Sequence, residues 1–314
     1  MISKKVDFFI VGEQKSGTTS MYYYLQQHPQ VSMSATKEPC FFCTDFIEES
    51  NNFHKRNYYF DYQNLDQYLG LFEQANNNQI WGEASSVYFY SKVSAKNIHH
   101  YNPQAKIIIM LRDPVHYLFS LHQQYLKETT EEIKTLEEAL DLESLRKKGK
   151  KIPKRTRVPS YLFYLERVKY LQNLKRYYRY FSPRQIKLIF FEDFIKNTQK
   201  TVYETYDFLG LSKIIIDTTP SNSSKSPSWP RLHYFLNNPR LKKIIKTYLS
   251  PHKQMKVKKI LDTIFLKKTK KREKNPQLVN RLRKELKSEV TELNLFLEKN
   301  QLANVDLLEL WNFY

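Results

Sequence analysis

The sequence contains little cysteine and little glycine, and it has no long apolar run. Of its 314 residues only two are cysteines, Cys40 and Cys43, which excludes a fold held together by several disulfides. No apolar stretch approaches the roughly 20 residues that a membrane-spanning helix needs. The run from Phe8 to Val11 is too short for a secretory signal peptide. We therefore expect a soluble, cytoplasmic protein.

Acidic residues are scarce relative to basic ones. The chain has 32 Asp and Glu against 51 Lys and Arg, and its formal net charge is +19. This charge favours an anionic partner, namely a nucleotide, an acidic glycan, an anionic membrane surface or nucleic acid, although a lysine bias that aids solubility explains it equally well. Segments 146–157 and 240–274 are strongly basic. We predict the first as a mobile loop, and either segment as a guide for a polyanion or a contact with an anionic membrane.

The two cysteines form a Cys-Phe-Phe-Cys pair that follows Pro39. A redox pair usually opens a helix, where the thiol pKa is lowered, and a zinc site needs further ligands. Neither condition is met by this sequence, which has no second pair. We interpret both cysteines as small, buried apolar side chains.

Three apolar stretches predict buried strands, and a helical pattern follows each of them. They are Val6–Val11, Ile107–Leu111 and the stretch Gln185–Phe194. Apolar runs that alternate with helices are typical of parallel strands covered on both faces. The sequence therefore predicts an α/β fold with a central parallel sheet, in which ligands bind at the carboxyl ends of the strands.

The chain is predicted to form one domain over residues 1–314. Residues 1–235 carry the α/β pattern, and 236–314 form a basic helical C-terminal part of the same domain. Within that part, 279–301 predict a helix because apolar residues recur at helical spacing. This apolar stripe consists of Leu282, Leu286, Val290, Leu293 and Leu297.

The first predicted strand runs into the loop VGEQKSGTTS, which spans residues 11–20. A strand, a glycine loop and a helix aim backbone N–H groups at a phosphate. Gly12 and Gly17 have the spacing of the nucleotide-triphosphatase pattern G-x-x-x-x-G-K-[ST], but no lysine follows Gly17. The lysine is Lys15, inside the loop, which favours a shorter group than a triphosphate. A kinase that uses ATP and Mg²⁺ remains an alternative.

Several motifs together resemble the sulfotransferases that use 3′-phosphoadenosine 5′-phosphosulfate (PAPS). KSGTTSMYYYLQQHP resembles their 5′-phosphosulfate loop, and IIIMLRDPVHYLFS resembles their 3′-phosphate motif, with Arg112 and Ser120 in the matching positions. KEPCFF resembles a segment of the carbohydrate, heparan-sulfate type of this family. The resemblance implies a P-loop-like three-layer sandwich with helices on both faces of a parallel sheet.

The resemblance also implies how the donor PAPS is bound. Lys15 would stabilise charge on the leaving 5′-phosphate, and Arg112 with Ser120 would hold the 3′-phosphate. A structural ion pair for Arg112 and a helix-face hydroxyl for Ser120 are the alternatives. No metal is expected, because a sulfuryl group carries one negative charge fewer than a phosphoryl group. The residues that would cradle the 5′-phosphate are Ser16, Gly17, Thr18, Thr19 and Ser20.

The acceptor must lose a proton as it attacks sulfur. The resemblance implies Glu38 as the general base and Lys37 as a contact to the leaving group or to an acidic acceptor. The alternative for Glu38 is an ordinary surface carboxylate. His122 is the stronger of the rival bases, since other sulfotransferases use histidine. The weaker rivals are His28, which reads better as a helix cap, and His116.

A late segment, 221–235, resembles the part of the family that closes over the nucleotide. It implies a phosphate or leaving-group contact for Lys225 and a cover for the base or sugar by Trp229, although an ordinary Ser/Pro connection is the alternative. The sequence departs from the family at two positions. Tyr117 stands where a second arginine is often found, and Cys40 stands where histidine is common. The second departure leaves the acceptor class open.

The resulting hypothesis is in-line transfer of a sulfuryl group from PAPS to a hydroxyl or amine, with a glycan or glycolipid as the expected acceptor. Two alternatives come from other classes of protein. One is the kinase named above, and the other is a basic, non-enzymatic protein that binds a membrane or nucleic acid. Nucleic acid is not expected, because basic residues are not interleaved with exposed aromatics as in nucleic-acid-binding modules.

Overall fold

A computed structural model of the chain describes residues 4–218 and 274–314, together with the backbone of 225–227 and 266–268. Its main sheet has five strands, all parallel, in the order β2-β3-β1-β4-β5. The strands are β1 (Phe8–Gly12), β2 (Val31–Met33), β3 (Ile80–Ala84), β4 (Lys106–Leu111) and β5 (Ile186–Phe190). The expected α/β fold with a central parallel sheet is confirmed.

The central strands are apolar because both of their faces are covered. Every residue of β1 is buried, and so are the last five residues of β4. Phe9 and Ile109 belong to the hydrophobic cluster on one face, whereas Phe8 and Ile108 belong to the cluster on the other. Successive strand residues point to opposite faces, so a doubly covered strand needs apolar residues throughout.

Helices cover both faces of this sheet. Helices α1 and α11 pack on one face, and α5, α9 and α12 contribute to the cluster on the other. The helices are α1 (Thr18–Gln26), α2 (Thr44–His54), α3 (Leu65–Leu69), α4 (Ser94–Tyr101), α5 (Pro114–Lys127), α6 (Leu136–Asp141), α7 (Glu143–Lys147), α8 (Tyr164–Arg167), α9 (Tyr170–Tyr178), α10 (Phe191–Lys196), α11 (Thr198–Leu209), α12 (Pro276–Lys299) and α13 (Leu307–Leu310). No helix of the described part is long and apolar enough to cross a bilayer.

Two strands of the main sheet, β2 and β3, were not among the three that the sequence predicts. β2 has only three residues, and β3 has the sequence IWGEA, which lacks the β-branched run that marks a buried strand. The glycine in β3 has a packing reason, since a Cβ on Gly82 would lie 2.1 Å from the ring of Phe8. Close contact between paired strands of the same sheet therefore explains a residue that weakens the strand pattern.

The basic segment 146–157 is packed at both ends, so the prediction of a mobile loop there is wrong. Arg146 lies in α7 with its guanidinium fully buried, and its Nη1 and Nη2 donate to the carboxylate of Glu131 at 2.7 and 2.8 Å. At the other end Thr156 is buried, and its hydroxyl donates to the carbonyl of Thr130 at 2.8 Å. A basic composition concealed these contacts, because charged residues are buried only when they find partners.

The helix predicted from the leucine stripe is confirmed as α12, and all five stripe residues are buried. They belong to the same hydrophobic cluster as β1 and β4, as does Trp311. Among residues 240–274, only Lys274 and the backbone of 266–268 are described. Residues 266–268 form strand β7 (Leu266–Lys268), which pairs in antiparallel fashion with β6 (Lys225–Pro227).

Leucine truncations in α12 test whether the C-terminal helix shares the core of the sheet. Leu282 is completely buried, whereas Leu295 in the same helix is 56% exposed. We expect Leu282→Ala to lower the free energy of unfolding by about 2–5 kcal/mol, since it removes apolar contacts and leaves a cavity. Leu295→Ala, the matched control, should change it by less than about 0.5 kcal/mol. Urea denaturation measures both changes. Equal losses would show that α12 does not share the core of the sheet.

Candidate active site

The loop after β1 is shaped by two glycines that have no room for a side chain. A Cβ on Gly12 would lie 2.4 Å from the Cβ of Phe89 and 3.0 Å from the carbonyl oxygen of Ser86. Gly17 has φ +90° and precedes the first residue of α1, and its Cβ would lie 2.9 Å from the ring of Phe194. Helix α1 therefore begins at the carboxyl edge of the sheet, where its first N–H groups favour an anion.

A buried ion pair lies beneath this loop. Arg167 of α8 donates from Nη2 to Oε1 of Glu13 at 2.7 Å, and both side chains are completely buried. The Nε of Arg167 donates to the hydroxyl of Tyr117 at 2.7 Å, and its Nη2 also reaches Gln14 at 3.1 Å. Burial raises the pKa of Glu13, and the charge of Arg167 opposes that shift. Tyr117, where the family often has arginine, thus supports an arginine from another helix.

Arg112 contacts the loop directly. Its Nη1 donates to the backbone carbonyl of Lys15 at 2.9 Å, and its guanidinium lies 4.4 Å from the ring centroid of Phe191. Burial lowers the pKa of Arg112, and its Nε is buried without a hydrogen-bond partner among the described residues. The guanidinium is thus anchored by one arm and keeps unused donor capacity beside the loop.

The side chain of Lys15 connects the loop to α5. Its backbone has φ +62°, and its Nζ donates to Oε1 of Gln124 at 3.2 Å. Burial lowers the pKa of Lys15, the charges of Lys127, Arg112 and Lys37 lower it further, and Glu128 opposes them. Three other cations therefore act on Lys15 at this edge of the sheet, and an anion beside Lys15 would offset their repulsion.

The structure locates the other residues that are predicted to bind the sulfuryl donor. Ser120 is partly exposed on α5, one turn before Gln124 on the same helix face and thus near Lys15. Ser16 and Thr18 are buried in the loop and the first turn of α1, and the two partly exposed residues that follow are Thr19 and Ser20. For Lys225 only the backbone is described, and Trp229 lies outside the described residues. These assignments stay predictions.

Asp113, the residue after Arg112, is occupied by structural contacts. Its carboxylate accepts from the backbone N–H groups of Val115 and His116 and so caps the start of α5. It also forms a two-armed ion pair with Arg283 of α12. Glu192 accepts from the backbone N–H of Asp113 at 3.2 Å and from the indole of Trp311 at 3.0 Å. The C-terminal part thereby braces the turn that positions Arg112.

Glu38 is connected to the start of the loop through Ser86. Its backbone has φ +60°, and its carboxylate accepts from the backbone N–H of Ser86 at 2.8 Å and from the hydroxyl of Ser86 at 2.5 Å. Lys37 donates to the same carboxylate at 2.5 Å. Because the carbonyl of Ser86 abuts Gly12, these bonds hold Glu38 against the start of the loop. The structure thus brings Glu38, Lys37 and Lys15 to one edge of the sheet.

The histidines named as rival bases have other surroundings. His122 is buried, and its Nε2 lies 2.9 Å from the carbonyl oxygen of Ile133. His28 is also buried, and its Nε2 lies 3.0 Å from the carbonyl oxygen of Ser212. His116 pairs with Asp113 at 3.4 Å. The assignment of the base to Glu38 stays a prediction.

Glu83, at the end of β3, is a buried carboxyl that the sequence did not single out. Its Oε2 accepts from the hydroxyls of Tyr88 at 2.9 Å and Tyr68 at 3.2 Å. Burial raises its pKa to about 7. The hydroxyl of Tyr88 in turn accepts from the backbone N–H of Phe42 at 3.1 Å, which ties this network to the turn that carries Glu38. The only sequence signal was an acidic residue inside an otherwise apolar stretch.

The two cysteines are buried thiols, as interpreted from the sequence. The Sγ of Cys43 donates to the carbonyl of Cys40 at 3.1 Å, and burial raises the pKa of the Cys43 thiol. A buried thiol with a raised pKa is a poor nucleophile and a poor metal ligand. No group of three or more His, Cys, Asp or Glu that could hold a metal occurs within the described ranges.

A glycine loop that opens a helix at the carboxyl edge of a parallel sheet, with Lys15 and Arg112 beside it, defines an α/β protein with a site suited to an anionic group. The sulfotransferase family model matches residues 7–214, and the chain belongs to this family. A sulfotransferase from Alicyclobacillus acidocaldarius has a similar solved structure, with a TM-score of 0.60 and 28% identity over 78% of this chain and 96% of that one. The P-loop-like sulfotransferase fold is thereby confirmed.

Curated relatives include two named for carbohydrate acceptors. Carbohydrate sulfotransferase 15 of Mus musculus is 25% identical over 83% of this chain and 54% of its own length. Bifunctional heparan sulfate N-deacetylase/N-sulfotransferase 3 of Homo sapiens is 27% identical over 65% of this chain and 22% of its own length. The chain thus spans about half the length of the first relative and less of the second.

The titration of Glu83 predicts a specific dependence of stability on pH. Its pKa is about 7 in the folded protein and 4.5 for the free group, so between these values only the folded state binds the proton. The free energy of unfolding therefore falls as pH rises from about 4.5 to about 7 and then levels off. Glu83→Gln mimics the protonated group. Between pH 4.5 and pH 8 we expect its free energy of unfolding to rise by roughly 3 kcal/mol relative to that of the wild type.

Urea denaturation at a series of pH values measures this difference directly. Glu48→Gln, an exposed carboxylate in α2, provides the matched control and should follow the wild-type curve. Parallel curves for wild type and Glu83→Gln would contradict the raised pKa.

Proposed function

We propose that this protein transfers a sulfuryl group from PAPS to a hydroxyl or amine of a carbohydrate by in-line displacement, with Glu38 as general base. The observation that carries the proposal is the convergence of Lys15, Arg112 and Glu38 on the glycine loop. Membership of the sulfotransferase family supports the reaction class. Because the chain covers only part of its curated relatives, activity and acceptor are proposals for the described site.

The residues present fit a nucleotide with phosphates at its 5′ and 3′ positions. Gly12 and Gly17 let the loop pack against Phe89 and Phe194, and Gly17 directly precedes α1, whose first backbone N–H groups suit a phosphate. Arg112 has a buried Nε without a partner among the described residues, and a guanidinium fork suits a phosphate. Ser120 lies on the helix that follows Arg112 and would add a hydroxyl to the 3′-phosphate site.

In the transfer step the acceptor oxygen or nitrogen forms a bond to sulfur while the bond from sulfur to the 5′-phosphate oxygen breaks. The acceptor proton passes to the carboxylate of Glu38, which Ser86 and Lys37 hold in place. Negative charge that develops on the leaving phosphate is stabilised by Lys15 and the start of α1. Lys37, paired with Glu38, would contact the leaving group or an acidic acceptor.

Two features disfavour the kinase alternative. No lysine follows Gly17, where a triphosphatase loop needs one to reach the β- and γ-phosphates. Asp113, two residues after the end of β4, is engaged by Arg283 and by the start of α5. The carbohydrate acceptor is supported by the names of the two curated relatives.

Ligand-induced thermal stabilisation tests the donor site without any acceptor. We expect 3′-phosphoadenosine 5′-phosphate to raise Tm without added metal, by about 5 °C when its concentration is about 100 times Kd. Arg112→Ala should abolish the shift, since it removes the guanidinium beside the loop. Arg179→Ala, an exposed arginine at the end of α9, is the matched control and should keep it. A shift only with ATP and Mg²⁺ would overturn the proposal in favour of a kinase.

Replacing Glu38 by glutamine tests the proton transfer. We expect Glu38→Gln to lower kcat by about 10²–10⁴, the usual contribution of a general base, while the Tm shift with 3′-phosphoadenosine 5′-phosphate persists. Glu48→Gln again serves as the control for loss of one carboxylate. Sulfation rates with radiolabelled PAPS provide the measurement. A Glu38→Gln rate within threefold of wild type would exclude Glu38 as the base.

A further inference from the structure

One short segment, residues 84–89, contacts both the start of the glycine loop and the turn that carries Glu38. It begins with the last residue of β3, at the carboxyl edge of the sheet. On the side of the loop, the backbone N–H of Phe89 donates to the carbonyl of Val11 at 2.7 Å. A Cβ on Gly12 would lie 2.4 Å from the Cβ of Phe89. The segment is therefore packed directly against the start of the loop.

On its other side, the segment accepts hydrogen bonds from the backbone of the turn 38–42. The N–H of Glu38 donates to the carbonyl of Ala84 at 2.8 Å. The N–H of Cys40 donates to the hydroxyl oxygen of Ser85 at 2.9 Å, in a buried contact. Glu38 and Cys40 have φ values of +60° and +58°, which residues other than glycine rarely adopt. Contacts from outside the turn must therefore hold both residues in this conformation.

Tyr88 fixes the far end of the same turn. Its hydroxyl oxygen accepts from the N–H of Phe42 at 3.1 Å, and its O–H donates to Oε2 of Glu83 at 2.9 Å. Burial, and then the charge of Glu83, raise the pKa of Tyr88 well above its usual value, so the hydroxyl stays protonated. An ionised carboxylate can only accept hydrogen bonds. Glu83 thus orients the hydroxyl of Tyr88 so that its oxygen lone pairs are left for Phe42.

The glycine loop has anchors that do not depend on this segment. Arg167 forms its buried ion pair beneath the loop, and Arg112 donates to the backbone carbonyl of Lys15. Loss of a hydrogen bond between the segment and the turn would therefore displace Glu38 while the loop keeps its place. In-line transfer depends on the separation between the base and the group being transferred, and it tolerates little change in that separation.

We propose that Ser85 and Tyr88 are positioning residues for the transfer step, because their hydroxyls fix the turn that carries Glu38 relative to the glycine loop. This inference rests on the sulfotransferase function proposed above, with Glu38 as the base. Ser86 and Lys37 contact the carboxylate of Glu38 directly. Ser85 and Tyr88 act instead through the backbone N–H groups of the turn, so their effect on the reaction passes through the position of the base.

Removal of each hydroxyl tests this inference, with the rate of sulfuryl transfer as the readout. The acceptor probe is an unsulfated octasaccharide of alternating glucuronic acid and glucosamine, which offers hydroxyls and amines, and the donor is radiolabelled PAPS. We expect Tyr88→Phe and Ser85→Ala each to lower kcat by about 10- to 100-fold, the cost of a small misplacement of a reacting group. The KM for PAPS and the Tm shift with 3′-phosphoadenosine 5′-phosphate should stay as in wild type, because the loop keeps its anchors.

Tyr177→Phe is the matched control for loss of a buried hydroxyl. The hydroxyl of Tyr177, in α9, is buried without a hydrogen-bond partner among the described residues, so its removal should leave kcat unchanged. Combination with Glu38→Gln distinguishes a positioning role from a general loss of structure. In the Glu38→Gln background, Tyr88→Phe and Ser85→Ala should each lower the residual kcat by less than about threefold, since residues that act as a unit are not additive.

Hydrogen exchange, followed by mass spectrometry, adds a readout that needs no acceptor. The amides of the turn 38–42 should exchange faster in Tyr88→Phe and Ser85→Ala than in wild type, and Tyr177→Phe should leave them unchanged. If Tyr88→Phe does not fold, Ser85→Ala carries the same comparison, because its hydroxyl holds the turn at a separate point.

The outcomes separate this inference from the proposed function. The positioning role is overturned, and the proposed function stands, if the hydroxyl variants keep kcat within about twofold of Tyr177→Phe or lose as much in the Glu38→Gln background as in wild type. Unchanged exchange in the turn also overturns it. A diminished Tm shift in Ser85→Ala or Tyr88→Phe would assign that hydroxyl to the donor site and overturn the inference as well. If wild type shows no Tm shift, or transfers nothing to the octasaccharide, the proposed function itself is overturned and this inference with it.

Discussion

The buried ion pair between Glu13 and Arg167 is the constraint on which the candidate site depends. The glycine loop contains a carboxylate, Glu13, and both partners of the ion pair are completely buried. An unpaired buried charge costs several kcal/mol, so the two side chains require each other. Tyr117 and Gln14 add hydrogen bonds to the guanidinium, and Arg112 holds the next part of the loop through the Lys15 carbonyl.

The C-terminal part extends this constraint beyond the α/β core. Arg283 of α12 pairs with Asp113, and the indole of Trp311 donates to Glu192, which in turn accepts from the backbone of Asp113. The turn that carries Arg112 is therefore fixed by residues about 170 to 200 positions later in the sequence. Packing of the leucine stripe of α12 on the sheet cluster positions these two side chains.

Much of the fold could be predicted, because the spacing of apolar residues and the positions of glycine and proline are local properties of a sequence. The strands around Phe8 and Ile108, the glycine loop and the leucine stripe of α12 all follow from patterns within 20 or so residues. β2 and β3 could not be predicted, since a three-residue strand and a strand with Gly82 show no such pattern. The buried ends of 146–157 were missed because the burial of Arg146 depends on Glu131, which local composition does not reveal.

The sequence by itself determined the class of site: a glycine loop with an internal lysine, an arginine at a strand end and a Lys-Glu pair. Only the tertiary structure decided which charges meet there. It separates Arg167, which neutralises Glu13, from Arg112, which donates to the backbone carbonyl of Lys15. It also occupies Asp113 with Arg283. The physical reason is that charge interactions depend on distance and burial, both of which arise only when segments distant in sequence pack together.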